Sequence, residues 1–217
     1  ARWTDPQGNV HCPTDFIPVA EESGLIVPLG RWAIEEAAQT LALWDSRHGG
    51  PCGVKVAVNL SAIQLQRDAI APVLGAALDS TGLTGDRFTL ELTESAIVSD
   101  PDRIAGTMHA LKALGTTLAM DDFGTGYSSL TWLRTLPFSK IKIDTSFVRS
   151  MLEQKESRKI VAAVVGLGQS LDLSVIAEGV ETLEQAELLQ KIGCGYAQGY
   201  LFSRPVPANA VPGLLRG

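Results

Sequence analysis

Histidine and cysteine are scarce in this sequence, with three of each in 217 residues. His11, His48 and His109 lie far apart in the chain, which speaks against a histidine-based metal site or a histidine-driven triad. Cys12, Cys52 and Cys194 are odd in number, scattered and without CxxC spacing. That pattern fits a reducing compartment and argues against a disulfide framework or a zinc site. A basic surplus is also lacking: 18 Lys and Arg face 24 Asp and Glu, for a net charge of −6. Duplex DNA or an anionic membrane surface would call for a basic face. The best apolar run, Ile160 to Leu167, falls far short of the ~20 residues that a membrane span needs. No low-complexity segment and no repeat at a period of roughly 20–50 residues is visible. The chain opens Ala1-Arg2-Trp3, without an initiator Met or a signal-peptide pattern, and reads as cut from something longer.

What is present is a globular composition, 45% hydrophobic and 19% charged, with acidic side chains as the raw material for chemistry. From Val54 onward, short apolar runs alternate with stretches of helical period. The pattern predicts strands at Val54–Leu60, Phe88–Thr93, Thr117–Asp121, Ile141–Asp144, Ser174–Ala177 and Tyr196–Leu201. It predicts helices at Leu29–Trp44, Ala71–Ser80, Asp102–Leu114, Ser128–Leu136, Arg158–Leu171, Leu183–Ile192 and Ala208–Leu215. Asp100-Pro101 reads as a cap before a first-turn proline, and Thr182 to Gln185 as a capping box. Gly82, Gly115 and Gly193 follow helices, where a left-handed residue ends the turn at least cost. Regular βα alternation without a long linker implies one domain, a parallel sheet covered by helices.

Polar residues collect at the C-terminal ends of those strands. In each run the apolar residues share one parity. Asn59, Glu91, Asp121 and Lys142 hold the other. Glu178 follows its strand with a less clean side assignment, because Ile176 has the same parity. A single strand-end carboxylate is usually a helix cap, and a lone lysine snorkels to solvent. One polar residue on each of successive strands is different, because in a parallel barrel all strand C-termini line one mouth. Crowded carboxylates raise each other's pKa unless a cation neutralises them. Many oxygen donors, one lysine and no histidine point to Mg²⁺ or Mn²⁺ before zinc. Tyr127, Trp132 and Phe147 read as packing residues.

The strings that carry these residues are specific. In order they are Asn59-Leu60-Ser61, Glu91-Leu92-Thr93-Glu94, Asp121-Asp122-Phe123-Gly124-Thr125-Gly126-Tyr127-Ser128-Ser129-Leu130, Lys142-Ile143-Asp144, Ala177-Glu178-Gly179-Val180-Glu181 and Gln198-Gly199-Tyr200. Over essentially its whole length the sequence resembles the EAL domain family, bacterial phosphodiesterases that linearise cyclic di-GMP. The resemblance implies a modified (β/α)₈ TIM-like barrel, with residues 1–217 as a single EAL-type domain. It places the first two strands and the signature Glu-Ala-Leu motif, whose glutamate is a metal ligand in the family, upstream of Ala1. It implies that Asn59, Glu91 and Asp121 surround one Mg²⁺ or Mn²⁺. Asp121 and Asp122 would bring in a second, with Glu178 close by. Lys142 would hold or deprotonate the attacking water, with Glu178 a rival base. Arg2 and Gln198 would contact substrate, and Glu94 would anchor the loop Phe123–Ser129. Ca²⁺ would inhibit. The family also implies a cytoplasmic location, a tendency to homodimers, and an upstream sensor or diguanylate-cyclase-like domain.

Two rival functions follow from the same residues. Degenerate members of the family lose metal ligands and act as cyclic di-GMP receptors, whereas every later ligand position is filled in this sequence. A barrel enzyme using Mg²⁺ and Lys142 for proton abstraction beside a carboxylate is the other.

Overall fold

The computed structural model describes residues 2–98, 101–124 and 130–214. The chain begins with a short antiparallel hairpin, β1 (Trp3–Thr4) and β2 (Val10–His11), over which Trp3 stacks on His11 with centroids 4.7 Å apart. Helices α1 (Pro13–Ser23) and α2 (Ile26–His48) follow. Then come β3 (Val56–Leu60), α3 (Ala62–Arg67), α4 (Ile70–Thr81), β4 (Phe88–Thr93), α5 (Glu94–Val98) and α6 (Pro101–Ala113). The rest is β5 (Thr117–Phe123), α7 (Leu130–Thr135), β6 (Lys140–Ile143), α8 (Thr145–Ser150), α9 (Lys155–Ser170), β7 (Ser174–Ala177), α10 (Leu183–Ile192), β8 (Tyr196–Ala197) and α11 (Val211–Leu214).

Strands β3 to β8 form one six-stranded sheet in sequence order, and every neighbouring pair is parallel. That order, with a helical crossover between successive strands, is the arrangement of a TIM-like α/β barrel. The core lies between one sheet face and the helices. Phe88, Leu90 and Leu92 of β4, Leu118 and Met120 of β5 and Ile141 and Ile143 of β6 are fully buried there. Ile34 and Leu41 of α2, Leu74 of α4 and Met108 of α6 meet them in the same cluster. Each such side chain contributes about 1.5–3 kcal/mol of burial, so a truncation such as Leu90→Ala costs about 2–5 kcal/mol. The alternate residues of the strands face the other way, and these are the polar ones.

The capping box at Thr182 forms as expected: its hydroxyl accepts from the Gln185 N–H, and the Gln185 side chain accepts from the Thr182 N–H. Gly82, Gly115 and Gly193 all take positive φ. Trp132 and Phe147 pack against the core, while Tyr127 and the Asp100 cap lie outside the described residues.

Several elements differ from expectation. Helix α1 carries Pro13 and Pro18, which mask its helical pattern, yet Pro13 stands in the first turn where no N–H is needed. Helix α2 starts before Pro28 for the same reason. Helices α3, α5 and α8 are too short for periodicity to show. Strand β6 stops at Ile143, because Asp144 turns out to be the N-cap of α8, its carboxylate accepting from the Ser146 N–H. Strand β8 ends at Ala197: the Gln198 N–H still donates to the Ala177 carbonyl, but the Gln198 carbonyl accepts from the Val180 N–H and the Leu201 N–H donates to the Val180 carbonyl. No helix among the described residues is long and apolar enough to cross a membrane.

Candidate active site

Register brings the polar strand residues together. Asn59 pairs with Glu91 across β3 and β4, and Thr93 pairs with Asp121 across β4 and β5. Lys142 pairs with Ile176 across β6 and β7. Ile176 therefore lies on the lysine's side of the sheet, while Val175 and Ala177 point into the helix-side core. This settles the parity of β7, and Glu178, two residues beyond Ile176, emerges on the same side.

At the centre stands the Lys142 ammonium, only 3% exposed. Its Nζ lies 2.6 Å from Glu91 Oε2, 2.6 Å from Glu178 Oε1 and 3.0 Å from Asp121 Oδ1. Three strands and one post-strand loop thus donate a carboxylate or the ammonium to one point.

Asp121 and Asp122 are adjacent in sequence, and simple alternation would send Asp122 into the core. A bulge prevents this. Met120 pairs with Ile141 and Phe123 with Ile143, so two aspartates on β5 oppose the single Lys142 on β6. Asp122 takes a φ of 53°, a left-handed conformation that aspartate tolerates better than most residues. Phe123 then returns to the core. As a result, oxygens of Asp121, Asp122 and Glu178 all lie within 4.8 Å of one another.

The charges do not balance. Glu91, Asp121 and Glu178 set three carboxylates around one ammonium, and Asp122 lies beside two of them. Burial pushes the Glu178 carboxyl up to about 6, with hydrogen bonding to Lys142 opposing the shift. Burial likewise raises Glu91, and again the Lys142 ammonium only partly offsets it. Asp122 is raised by burial and then by the charges of Asp121 and Asp144. For Lys142, burial pulls the pKa down, but hydrogen bonds to Glu178 and Glu91 win, and the net direction is up. Hard oxygen donors with surplus negative charge are compatible with binding of a divalent cation.

The loop after β7 is fixed by backbone. Gln198 Nε2 donates to Glu178 Oε1 at 2.5 Å, and Gly199 lies so close to Val180 that a Cβ there would be 2.2 Å from its carbonyl oxygen. At Gly179 it is the Thr145 side chain that a Cβ would meet, at 2.3 Å. A cleft beside Glu178 is lined by Thr145, Arg149, Glu181, Gln198, Tyr200 and Arg204. Arg204 stands 4.8 Å from the centroid of the Tyr200 ring.

Of the residues expected from the sequence, the structure brings together Glu91, Asp121, Asp122, Lys142, Glu178 and Gln198. Asn59 is exposed and in register with Glu91. Arg2 is exposed beside the hairpin. Glu94 is buried at the start of α5, and most of the loop it was expected to anchor falls in residues 125–129, outside those described. Sequence reasoning missed the bulge, the Gln198 to Glu178 bond and the cleft residues Arg149 and Arg204. Only the consecutive aspartates at a strand end hinted at the first.

Sheet and site together define a parallel α/β barrel-type domain with a carboxylate–lysine centre at its strand ends. The model of the EAL domain family matches residues 1–205, and the chain belongs to that family. It is 41% identical over 208 residues to the bifunctional diguanylate cyclase/cyclic di-GMP phosphodiesterase MucR of Pseudomonas aeruginosa, covering 96% of this chain and 30% of that protein. It is 41% identical over 209 residues to the cyclic di-GMP phosphodiesterase PdeR of Escherichia coli, covering 96% of this chain and 31% of the relative. The chain therefore spans about a third of the length of these relatives, which are much longer proteins. Among solved structures, the PaMucR phosphodiesterase in complex with c-di-GMP superposes with a TM-score of 0.90 at 40% identity, covering 97% of this chain and 84% of that one.

Proposed function

We propose that the EAL-type domain to which this chain belongs, completed by the strands and signature glutamate expected upstream of Ala1, hydrolyses cyclic di-GMP to linear pGpG in a metal-dependent reaction of bacterial second-messenger signalling. The observation that carries the reading is the convergence of Glu91, Asp121 and Glu178 on Lys142, three carboxylates on one ammonium, with Asp122 beside Asp121 and Glu178 in the same cluster. Its family membership and its likeness to named phosphodiesterases support the substrate.

Asn59, Glu91 and Asp121 would hold one Mg²⁺ or Mn²⁺, and Asp121 with Asp122 a second, with Glu178 alongside. When bound, such cations neutralise the carboxylates, polarise a phosphate oxygen and lower the pKa of a bound water. The protein's own groups supply the rest. Lys142, with Ile141 and Ile143 turned into the core, is held rigidly and can donate a hydrogen bond to the attacking oxygen. It would act as a proton acceptor only with its carboxylate partners neutralised by bound cations; Glu178 is the competing base. Gln198 fixes the orientation of Glu178 through its amide. The neighbouring cleft offers Tyr200 as an aromatic face and Arg149 and Arg204 as cations for an anionic nucleotide, with Arg2 a further phosphate contact. The much greater length of the relatives supports further domains in the whole protein, with a sensor or diguanylate-cyclase-like domain as the family expectation, and the substrate class supports a cytoplasmic location; homodimerisation is the family's tendency.

The test is nucleotide chromatography with Mn²⁺ or Mg²⁺. Appearance of pGpG, blocked by Ca²⁺ whose looser coordination misplaces the water, is the expected result. Binding without product would replace the phosphodiesterase with a receptor.

A further inference from the structure

Among the described residues, Asn59 is the member of the expected ligand set whose side chain makes no hydrogen bond. It is exposed at the end of β3. Lys142, by contrast, grips Glu91, Asp121 and Glu178, and Gln198 grips Glu178 again. Where Asn59 points therefore depends on the backbone that carries it. On the β3 side, Leu60 is buried in the core at 4% exposure. One residue further on, Ser61 caps α3 by accepting from the Ile63 N–H at 3.2 Å. With its oxygen so engaged, the Ser61 hydroxyl donates its single proton across to Glu21 Oε1 of α1, at 2.5 Å.

The body of α3 is clamped to α2 by separate contacts. Arg31 Nε donates to Asp68 Oδ2 at 2.8 Å, and the buried Gln64 side chain lies where a Cβ on Gly30 would come within 2.0 Å of it. Those contacts hold the helix. The Glu21–Ser61 bond acts at the strand-to-helix junction, two residues from Asn59.

We propose that Glu21 is a positioning residue for the metal site: by holding the Ser61 hydroxyl it fixes the end of β3 and so the direction of the Asn59 amide. The inference rests on the reading of Asn59 as a metal ligand. It makes α1, which brings no residue to the reacting centre, part of the outer support of that centre. Groups that orient metal ligands from behind typically change metal affinity by about 10–100-fold when removed.

The experiment is Mn²⁺ titration of the nucleotide-free chain by electron paramagnetic resonance, with a thermal melt of each variant to show that it is folded. Asn59→Ala is expected to weaken Mn²⁺ binding. Glu21→Ala should weaken it by about 10-fold, and Ser61→Ala, which removes the donor instead of the acceptor, should do the same, with no further loss in the double variant. Glu21→Gln keeps an acceptor oxygen and should stay close to wild type. On an Asn59→Ala background Glu21→Ala should add nothing, because the amide through which it acts is gone. Wild-type Mn²⁺ affinity in Glu21→Ala, with Asn59→Ala weakened, overturns the positioning role alone. An equal loss from Glu21→Ala on both backgrounds also overturns it, by showing a general effect on the fold. Unchanged affinity in Asn59→Ala removes the ligand reading of Asn59 and this proposal with it.

Discussion

Asp121 and Asp122 are sequence neighbours whose carboxylates reach the same side of the sheet, because a bulge in β5 sets both against Lys142. This local irregularity turns one strand end into a double donor. It places Asp121 both in ion-pair contact with Lys142 at 3.0 Å and within a cluster that includes Asp122 and Glu178.

If Asp121 bridges two cations, Asp121→Asn keeps its shape but removes a full charge from between them. Turnover of cyclic di-GMP should fall by at least about 10²-fold, the scale of one essential electrostatic contact. Steady-state kinetics at saturating Mn²⁺ measure this, and near-normal kcat would assign the bridge to another residue.

Lys142 is expected to act on the water and to contribute little to holding nucleotide. Lys142→Ala should lower kcat by about 10²-fold or more while leaving nucleotide affinity within a few-fold. Lys142→Arg should fail as well, since a guanidinium stays charged and cannot accept a proton. Calorimetry with Ca²⁺ in place of the active metal reads affinity without turnover. Loss of binding there, with activity retained at saturating substrate, would make Lys142 a phosphate clamp and leave Glu178 as the base.

Much of this site is legible in the sequence. Period-two alternation in Phe88–Thr93 and Ile141–Ile143 assigned Glu91 and Lys142 to one face, and the parallel register then made them neighbours. Asp122 was legible only through family resemblance, because alternation places it on the wrong face and a bulge leaves no composition signal. Asp144 shows the converse: its parity matched Lys142, yet it caps α8, the ordinary role of an aspartate after a strand. The Ser61–Glu21 bond was invisible because its partners are 40 residues apart. The mouth-side cleft was invisible for a related reason, being built by backbone approach at Gly199.

Away from the site, Arg87 links α2 to the start of β4, its Nη1 donating to Asp45 Oδ2 at 2.7 Å and its Nε to the Val54 carbonyl at 2.6 Å. The Arg87 guanidinium, by hydrogen bonding, holds the Asp45 carboxyl well below the usual carboxylate range. A depressed carboxylate pKa gives stability that is fully present above the unfolded value of about 4 and is lost as pH falls towards the folded one. Asp45→Asn should therefore melt several degrees below wild type at neutral pH, with the gap narrowing once pH drops below about 4. Scanning calorimetry across that range checks it; a gap that stays constant into strong acid would show that the charge is not what matters.

Gly199→Ala should destabilise the chain by about 1–3 kcal/mol, because the new methyl would meet the Val180 backbone, which has no side-chain freedom with which to yield. The displaced Gln198 would release Glu178, so activity should fall even at temperatures where the variant remains folded. Thermal melting and kinetics on the same sample separate the two effects. An unperturbed variant would show that the approach at Gly199 is looser than described.

The most direct measurement of the central claim is mass spectrometry of the product formed from cyclic di-GMP with Mn²⁺ in ¹⁸O-labelled water. Hydrolysis at the carboxylate–lysine centre attaches the water oxygen to phosphorus as the P–O3′ bond breaks. The account predicts pGpG with one ¹⁸O in its terminal phosphate and none in the freed hydroxyl. Intact, unlabelled cyclic di-GMP recovered from a protein that binds both Mn²⁺ and nucleotide would contradict it.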